Sequence, residues 1–392
     1  MSKLDELIAE LCPDGVEYTT IENVCTKISS GGTPNTSRSD YYGGDIAWLR
    51  TQEVDWVDIL DTGIKITEEG LNNSSAKWIP KNCVIVAMYG ATAAKVAINK
   101  IPLTTNQACC NLQVDKNKAL YRYVYYWLAN NYNELKALGQ GSQSNINAKI
   151  IRSFPIPLPP LPVQQEIVRI LDNFTELTAE LTAELTARRK QYEYYRDFLL
   201  TFGDDVPRLA ISDLLIRTKG TNITAQKMRQ LHKKNGEVRI FAGGKTYADV
   251  DFKDIQKKDI NLNPSIIVKS RGIIEFEYYD KPFSHKNEFW SYYSENKNVN
   301  IKFVYYYLSK NVNYFQRIAN NMQMPQISIP VTDKYKVPLP PIKEQERIVS
   351  ILDRFDALCN DLTSGIPAEI EARQKQYEYY RDKLLSFKEV TA

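Results

Sequence analysis

Apolar residues between positions 167 and 199 recur at steps of three and four: Ile167, Ile170, Leu171, Phe174, Leu177, Leu181, Leu185, Tyr192, Tyr195 and Leu199. That spacing draws one stripe down a helix. LTAELTAELTA (177–187) contains two TAEL tetrapeptides of strong helix formers. PLPP (157–160) ahead of it cannot continue a helix and predicts an extended lead-in. A stripe of about 36 residues would span about 54 Å. A second stripe runs through Ile348, Ile351, Leu352, Phe355, Leu358 and Leu362, then Ile370, Tyr377, Tyr380 and Leu384. SGIP (364–367) interrupts it, and the proline predicts a break near Gly365–Pro367.

The regions before each stripe follow a different pattern. AWLRTQEVDW (47–56), KNCVIVAMYG (81–90) and PSIIVKS (264–270) are short strand-like runs. GGTPNTS, YYGG and AGGK clusters bound them as turns. Each region predicts a mostly β globule with a few helices.

The two halves also repeat in letters. KQYEYYRD occupies 190–197 and again 375–382, and IPLPPLPVQQEIVRILDNF (156–174) parallels VPLPPIKEQERIVSILDRF (337–355). Upstream, CVIVAMYG (83–90) matches SIIVKSRG (265–272), and YVYYWL (123–128) matches FVYYYL (303–308). VEYTTIENV (16–24) loosely matches VPRLAISDL (206–214), and Asn106-Gln107 is set opposite Asn287-Glu288. The offset is 181 residues at Pro157/Pro338 and 185 at Lys190/Lys375. The four extra residues are expected to be absorbed at the break, leaving the helices similar in length.

The expected fold class is α+β, with two mixed, mostly β domains joined by two long helices. Residues 1–154 and 203–334 form the domains; 155–202 and 335–392 form the helical regions. The first helix leaves one domain and arrives at the other. The second returns, so the two should run antiparallel in a pseudo-twofold internal repeat.

Composition narrows the function classes. The chain has 392 residues, 43% hydrophobic and 25% charged, which suits two or three folded domains. No run of about 18 apolar residues predicts a membrane span, and the acidic start does not suit a signal peptide. Six scattered cysteines form no CxxC pair and only two histidines exist, so no metal site is expected and a reducing, cytoplasmic setting is. A net charge of +3 is no global nucleic-acid signal, but a local basic patch can suffice.

Two divergent domains on repeated helices, with PLPP lead-ins and RxKQYEYYRD-type helix ends, resemble the specificity subunit of type I restriction–modification enzymes. GGTP (31–34) followed by Trp48, the Asn106-Gln107 pair and PLPPLPVQQEIVRILD (157–172) carry the resemblance, which covers essentially the whole chain. The second domain departs from it: GGTP is missing, and IFAGGKTYADVDF (240–252) is set in the comparable region. The resemblance implies a non-catalytic subunit whose two domains each read half of a bipartite, asymmetric site in double-stranded DNA. It implies helices that set the spacing and dock two methyltransferase subunits, with restriction subunits joined through these. No cofactor is implied on this chain; S-adenosylmethionine and ATP with magnesium belong to the partners.

The residues agree that the chain is no enzyme. An adenine methyltransferase needs an [ND]PP[YF] tetrapeptide for the flipped base, yet both PP pairs follow leucine and Asn263-Pro264 precedes serine. GGKT (243–246) lacks the first glycine of a phosphate loop, since position 239 is Arg239. No HExxH occurs, and neither His232 nor His285 has a nucleophilic partner in sequence.

Duplex recognition needs phosphate anchors and side chains that reach base edges. In the first domain the candidates are Gly32, Thr33, Ser37 and Arg38 of the GGTPNTSR loop, then Arg50 and Gln52, suited to guanine and adenine. Tyr89, Thr92 and Lys95 follow on a strand-to-turn stretch, with Asn106, Gln107 and Gln143 beyond. In the second domain they are Lys245, Thr246, Arg271, His285, Lys286, Gln323 and Gln326; QMPQ (323–326) aligns with SQSN (142–145). Each is equally well an ordinary loop residue. Trp48 and Trp78 are expected in the core. For the helices, Tyr192, Tyr195, Tyr377 and Tyr380 are read first as helix–helix packing and second as a surface for a partner, with Arg196 and Arg381 nearer that partner. The competing reading is a scaffold that bridges two identical partners without reading DNA.

Overall fold

The structure, a computed structural model, describes residues 2–139, 145–244, 246–319, 325–361 and 363–390. The chain divides into two compact units: residues 1–180 with 370–392, and residues 181–369.

In the first unit the central strand, Val84–Ala87, is buried along its whole length. Its side chains alternate between two cores, as the period of two requires. Val84 and Val86 join Tyr123, Val124 and Leu128 of the helix Tyr121–Asn130. Ile85 and Ala87 face Leu49, Ile79 and Leu103. A strand covered on both faces has no place for a polar residue, which explains the unbroken VIVA run. It lies third in a five-stranded sheet, behind Cys25–Ser30 and Cys109–Val114 and before Val96–Asn99 and Asp58–Ile59. A four-stranded sheet orders Lys65–Ile66, Tyr42–Leu49, Leu103–Thr105 and Trp78–Ile79. Its two middle strands run parallel, with Leu49 opposite Thr105.

The second unit repeats this plan with shorter means. Ser265–Lys269 is its fully buried strand, with Ile266 and Val268 against the helix Ile301–Lys310 and Ile267 against Phe241 and Phe283. A parallel pair recurs in Val238–Phe241 and Phe283–His285, with Phe241 opposite His285. The loose sequence match at the start of each half is structural too. Tyr18–Thr20 pairs with Pro155–Pro157, and Arg208–Ala210 pairs with Lys336–Pro338, in the same register.

Each unit holds one helical segment that leaves its core and one that arrives. In the first unit the helix Leu161–Leu199 starts in the core at Val163, Ile167 and Leu171, while the final helix, Ile366–Leu384, ends there, with Leu385 just past its end in the same core. The two touch where Phe174 stacks on Tyr380, ring centroids 5.5 Å apart, so their senses are opposed. In the second unit the long helix arrives at Leu200 and the helix Ile342–Asn360 departs at Ile348 and Leu352. Phe355 there packs on Tyr192 and Tyr195, at 6.2 and 5.6 Å.

The second stripe breaks into two 19-residue helices, Ile342–Asn360 and Ile366–Leu384, against 39 residues in the first. The expected break is present but opens earlier than the proline. Asp361 draws the chain out of the helix by accepting from the Thr363 N–H (2.7 Å) and from the Thr363 and Ser364 hydroxyls. Pro367 lies in the first turn of the next helix, where its missing N–H costs nothing. Among the described residues no helix is long and apolar enough to cross a membrane.

Candidate nucleic-acid interface

The parallel strand pair fixes the same five-point frame in each unit. In the first, the Asn106 N–H donates to Leu49 O (2.9 Å), the Gly32 N–H to Thr105 O (2.9 Å) and the Cys109 N–H to Asn106 O (3.2 Å). In the second, Lys286 N–H donates to Phe241 O (2.9 Å), Thr221 N–H to His285 O (2.8 Å) and Phe289 N–H to Lys286 O (3.0 Å). Before each of these loop residues stands a glycine pressed on the strand. A Cβ on Gly31 would meet Thr105 O at 1.9 Å, and one on Gly220 would meet His285 O at 2.1 Å.

This frame corrects two alignments read from the sequence. Gly220-Thr221, not the AGGK segment, takes the place of the GGTP loop; AGGK instead continues the strand that in the first unit carries LRTQ. Asn106-Gln107 stands opposite Lys286-Asn287, one residue earlier than Asn287-Glu288. Insertions of different length shift the offset between segments, and only the hydrogen-bond register reveals it.

A second element joins the frame in both units. After the buried strand comes a left-handed glycine, Gly90 and Gly272, each at φ +81°. The Gly90 N–H donates to Asn145 Oδ1 (3.2 Å) and Ile146 N–H to Met88 O (3.0 Å). Correspondingly the Gly272 N–H donates to Pro325 O (2.9 Å), Ile327 N–H to Ser270 O (3.0 Å), and Arg271 bridges Gln326. Asn145 is therefore held at the Gly90 turn and Gln326 beside Arg271.

Around the first frame, Thr33 donates its hydroxyl to Gln107 Oε1. Thr92 Oγ1 donates to Thr51 O (2.7 Å), tying the Tyr89 turn to the end of the Arg50 strand. Tyr89 is exposed, as is Gln52. Arg50 Nε and Asn106 Oδ1 are enclosed and have no hydrogen-bond partner among the described residues, although Arg50 Nε lies 3.9 Å from Glu53 Oε1. Gly32 is buried, its carbonyl accepting from Trp48 Nε1 (2.9 Å), so it shapes the loop and offers no contact. Ser37 is exposed. Arg38 is held by Asp40 (2.8 Å from Nε) and lies over the Tyr41 ring; Lys95 is held by Asp55 at 2.5 Å. Both cations thus carry acidic partners that a phosphate would have to displace. Trp48 is in the core as expected, but Trp78 is half exposed on the edge strand, opposite Thr104.

In the second unit Lys286 pairs with Glu288 at 2.6 Å, and Ser270 Oγ donates to the Glu288 carbonyl (2.5 Å). Burial alone would raise the Glu288 carboxyl, but hydrogen bonds from Lys286 and from its own backbone N–H, with the Lys286 and Arg271 charges, outweigh it and hold it lowered. Beside Lys286 opens a cavity of about 400 Å³, lined by Met228, Arg229, His232, Gly243, Thr246 and Tyr247. Sequence reasoning missed Arg229 and His232, because nothing local links their helix, Ala225–Leu231, to the strand ends. His285 is fully buried between Lys286 O (3.1 Å) and Ser291 Oγ (3.2 Å), where it braces the strand and cannot touch a duplex. Gln143, Lys245 and Gln323 lie outside the described residues.

On the helices the repeated octapeptide divides its tyrosines. Tyr192 and Tyr195 pack on Phe355, Tyr380 on Phe174, and Tyr377 against the first core. Tyr194 and Tyr379 point outward, 66% and 64% exposed. Sequence reading passed over these two because they lie off the stripe. Arg196 lies over Tyr192 and pairs with Asp197; Arg381 repeats this with Tyr377 and Asp382.

The comparisons with known proteins meet this geometry. The model of the type I restriction modification DNA specificity domain matches residues 13–188 and again 209–372. The chain is 35% identical to the EcoR124I/EcoR124II specificity subunit of Escherichia coli over 294 residues, covering 70% of this chain and 72% of that one. With the EcoprrI specificity subunit of Escherichia coli it shares 27% identity over 93% of both. The fold is similar to the crystal structure of a type I restriction–modification S subunit from M. genitalium, with a TM-score of 0.64 and 16% identity over 95% of this chain and 96% of that one. One family model matched by each half, over units that repeat one strand-end frame, means that the chain belongs to the type I restriction–modification DNA specificity family.

Proposed function

We propose that this chain is the sequence-reading subunit of a type I restriction–modification complex. Residues 1–154 and 203–334 each read one half of a bipartite, asymmetric site in double-stranded DNA. Residues 155–202 and 335–392 set the number of base pairs between the halves and dock two methyltransferase subunits. Restriction subunits join through these. The chain contributes no catalytic group; S-adenosylmethionine, ATP and magnesium are handled by the partners, in the cytoplasm.

The observation that carries this reading is one backbone frame bearing different side chains. Where the first unit carries Arg50, Asn106, Gln107 and Tyr89, the second carries Ala242, Lys286, Asn287 and Arg271 at equivalent backbone positions. A conserved frame with exchanged tips suits two readers of unlike sequence, since base edges are read by side chains and the frame only positions them. The test is to exchange residues 203–334 for the same segment of another family member and map methylated adenines in cells. One half-site should change and the other stay. A change in both would refute two independent readers.

A further inference from the structure

We propose that Lys286 and Glu288 together read one G·C base pair of the second half-site, from the position of the frame that Asn106 holds in the first unit. The proposal rests on the reading of both units as recognition domains and goes on to name the bases. Lys286 and Asn106 are the same point of the frame: each is the first residue past the parallel strand, held by its own N–H and by its carbonyl. Their backbones therefore hold equivalent, rigid places, with the Lys286 side chain partly exposed and the Asn106 Oδ1 enclosed.

The chemistry at that point differs between the units. Lys286 is a pure donor, and Glu288, 2.6 Å away, is a pure acceptor. In the major groove guanine offers two acceptors, O6 and N7, and its cytosine offers the N4 donor. A lysine beside a carboxylate matches both halves of that pair. It does not match a phosphate, which the carboxylate would repel. Glu288 is also fixed: its carbonyl accepts from Ser270 Oγ at 2.5 Å, and the Phe289 N–H closes the turn on Lys286 O at 3.0 Å. In the first unit the place of Glu288 is taken by Ala108, so no carboxylate stands two residues past Asn106. An asparagine amide placed at the Lys286 point, donor and acceptor at once, would instead match adenine N7 and N6.

The test assembles the chain with its methyltransferase subunits and measures binding to duplexes carrying all four base pairs at each position of both half-sites. For the wild-type complex one position of the second half-site should prefer G·C. In the Lys286→Asn/Glu288→Ala chain that preference should fall about tenfold or more, with A·T favoured instead and the first half-site unchanged. Lys286→Met, which keeps the apolar stem, should lose the guanine preference without gaining A·T. Unchanged preference in both variants overturns the proposal. So does equal weakening on every duplex with a salt slope shallower by about one, the signature of a phosphate anchor. A wild-type complex that selects its second half-site with no G·C preference sinks this proposal alone. One that selects no sequence at all sinks the reading beneath it.

Discussion

Gln164 clamps Leu120: its buried side-chain Oε1 accepts the Leu120 N–H at 2.9 Å, and its Nε2 donates to Pro159 O (2.8 Å) and Lys118 O (3.1 Å). Leu120 is the cap of the helix Tyr121–Asn130 and has no side-chain group to satisfy that helix end, so Gln164 caps it from the long helix. Gln345 does the same in the second unit, accepting from Asn300 N–H (2.9 Å) and donating to Pro340 O (2.8 Å) and Asn298 O (3.0 Å). The glutamine four residues past PP in each half is thus the joint between helix and domain.

Removing either joint leaves buried backbone groups unpaired, at about 1–3 kcal/mol for each group. Gln164→Ala and Gln345→Ala are each expected to lower stability by about 2–4 kcal/mol. Denaturant unfolding of the purified chain checks this. A loss below about 0.5 kcal/mol would mean that water replaces the amide.

The two classes of helix tyrosine should separate. Tyr195→Ala and Tyr380→Ala remove rings stacked at 5.6 and 5.5 Å and should cost about 1–2 kcal/mol of stability. Tyr194→Ala and Tyr379→Ala should leave stability within about 0.5 kcal/mol but weaken methyltransferase binding, as should Arg196→Ala with Arg381→Ala. Titration calorimetry alongside thermal melts distinguishes the two effects. Equal partner affinity in all these variants would move docking off this part of the helices.

His285 gives a pH signature. Burial, the largest cause, lowers its pKa from 6.5 to about 4, against smaller raising contributions from Lys286 O and Glu288. A histidine depressed in the fold is neutral there and protonated in the unfolded chain below pH 6.5. Its contribution is therefore full above pH 6.5 and is lost as pH falls toward 4. At about 1.4 kcal/mol per unit, the loss is of order 3 kcal/mol. His285→Asn should unfold with a flatter pH dependence between 6.5 and 4 than the parent chain. Parallel stability curves over that window would refute the assignment.

The TAEL tetrapeptides make the helix a candidate ruler. Both lie inside the unbroken helix Leu161–Leu199. Four residues add about 6 Å of helix and a net turn of about 40°. One DNA base pair adds about 3.4 Å and about 35°. Inserting one TAEL should lengthen the spacer by about one base pair and leave both half-site sequences unaltered. Methylation-motif sequencing of cells carrying the insertion is the check; an unchanged spacer with activity retained would show that the helix does not measure DNA.

The sequence by itself determined the helices, the repeat and the break. Each is a one-dimensional property: a stripe at steps of three and four, identical letters in two places, a periodic run interrupted by SGIP, although Asp361 and not the proline opens the break. The tertiary structure decided what stands opposite what. Leu49 meets Thr105 and Phe241 meets His285 across long connections of unequal length, so the equivalence of Asn106 with Lys286 is written in hydrogen-bond register and in no local pattern. It also decided that His285 is buried, that Trp78 is half exposed, and that Tyr194 and Tyr379 face outward while their neighbours pack. Burial depends on which distant segment covers a residue, and side chains of the same type are separated by that covering alone.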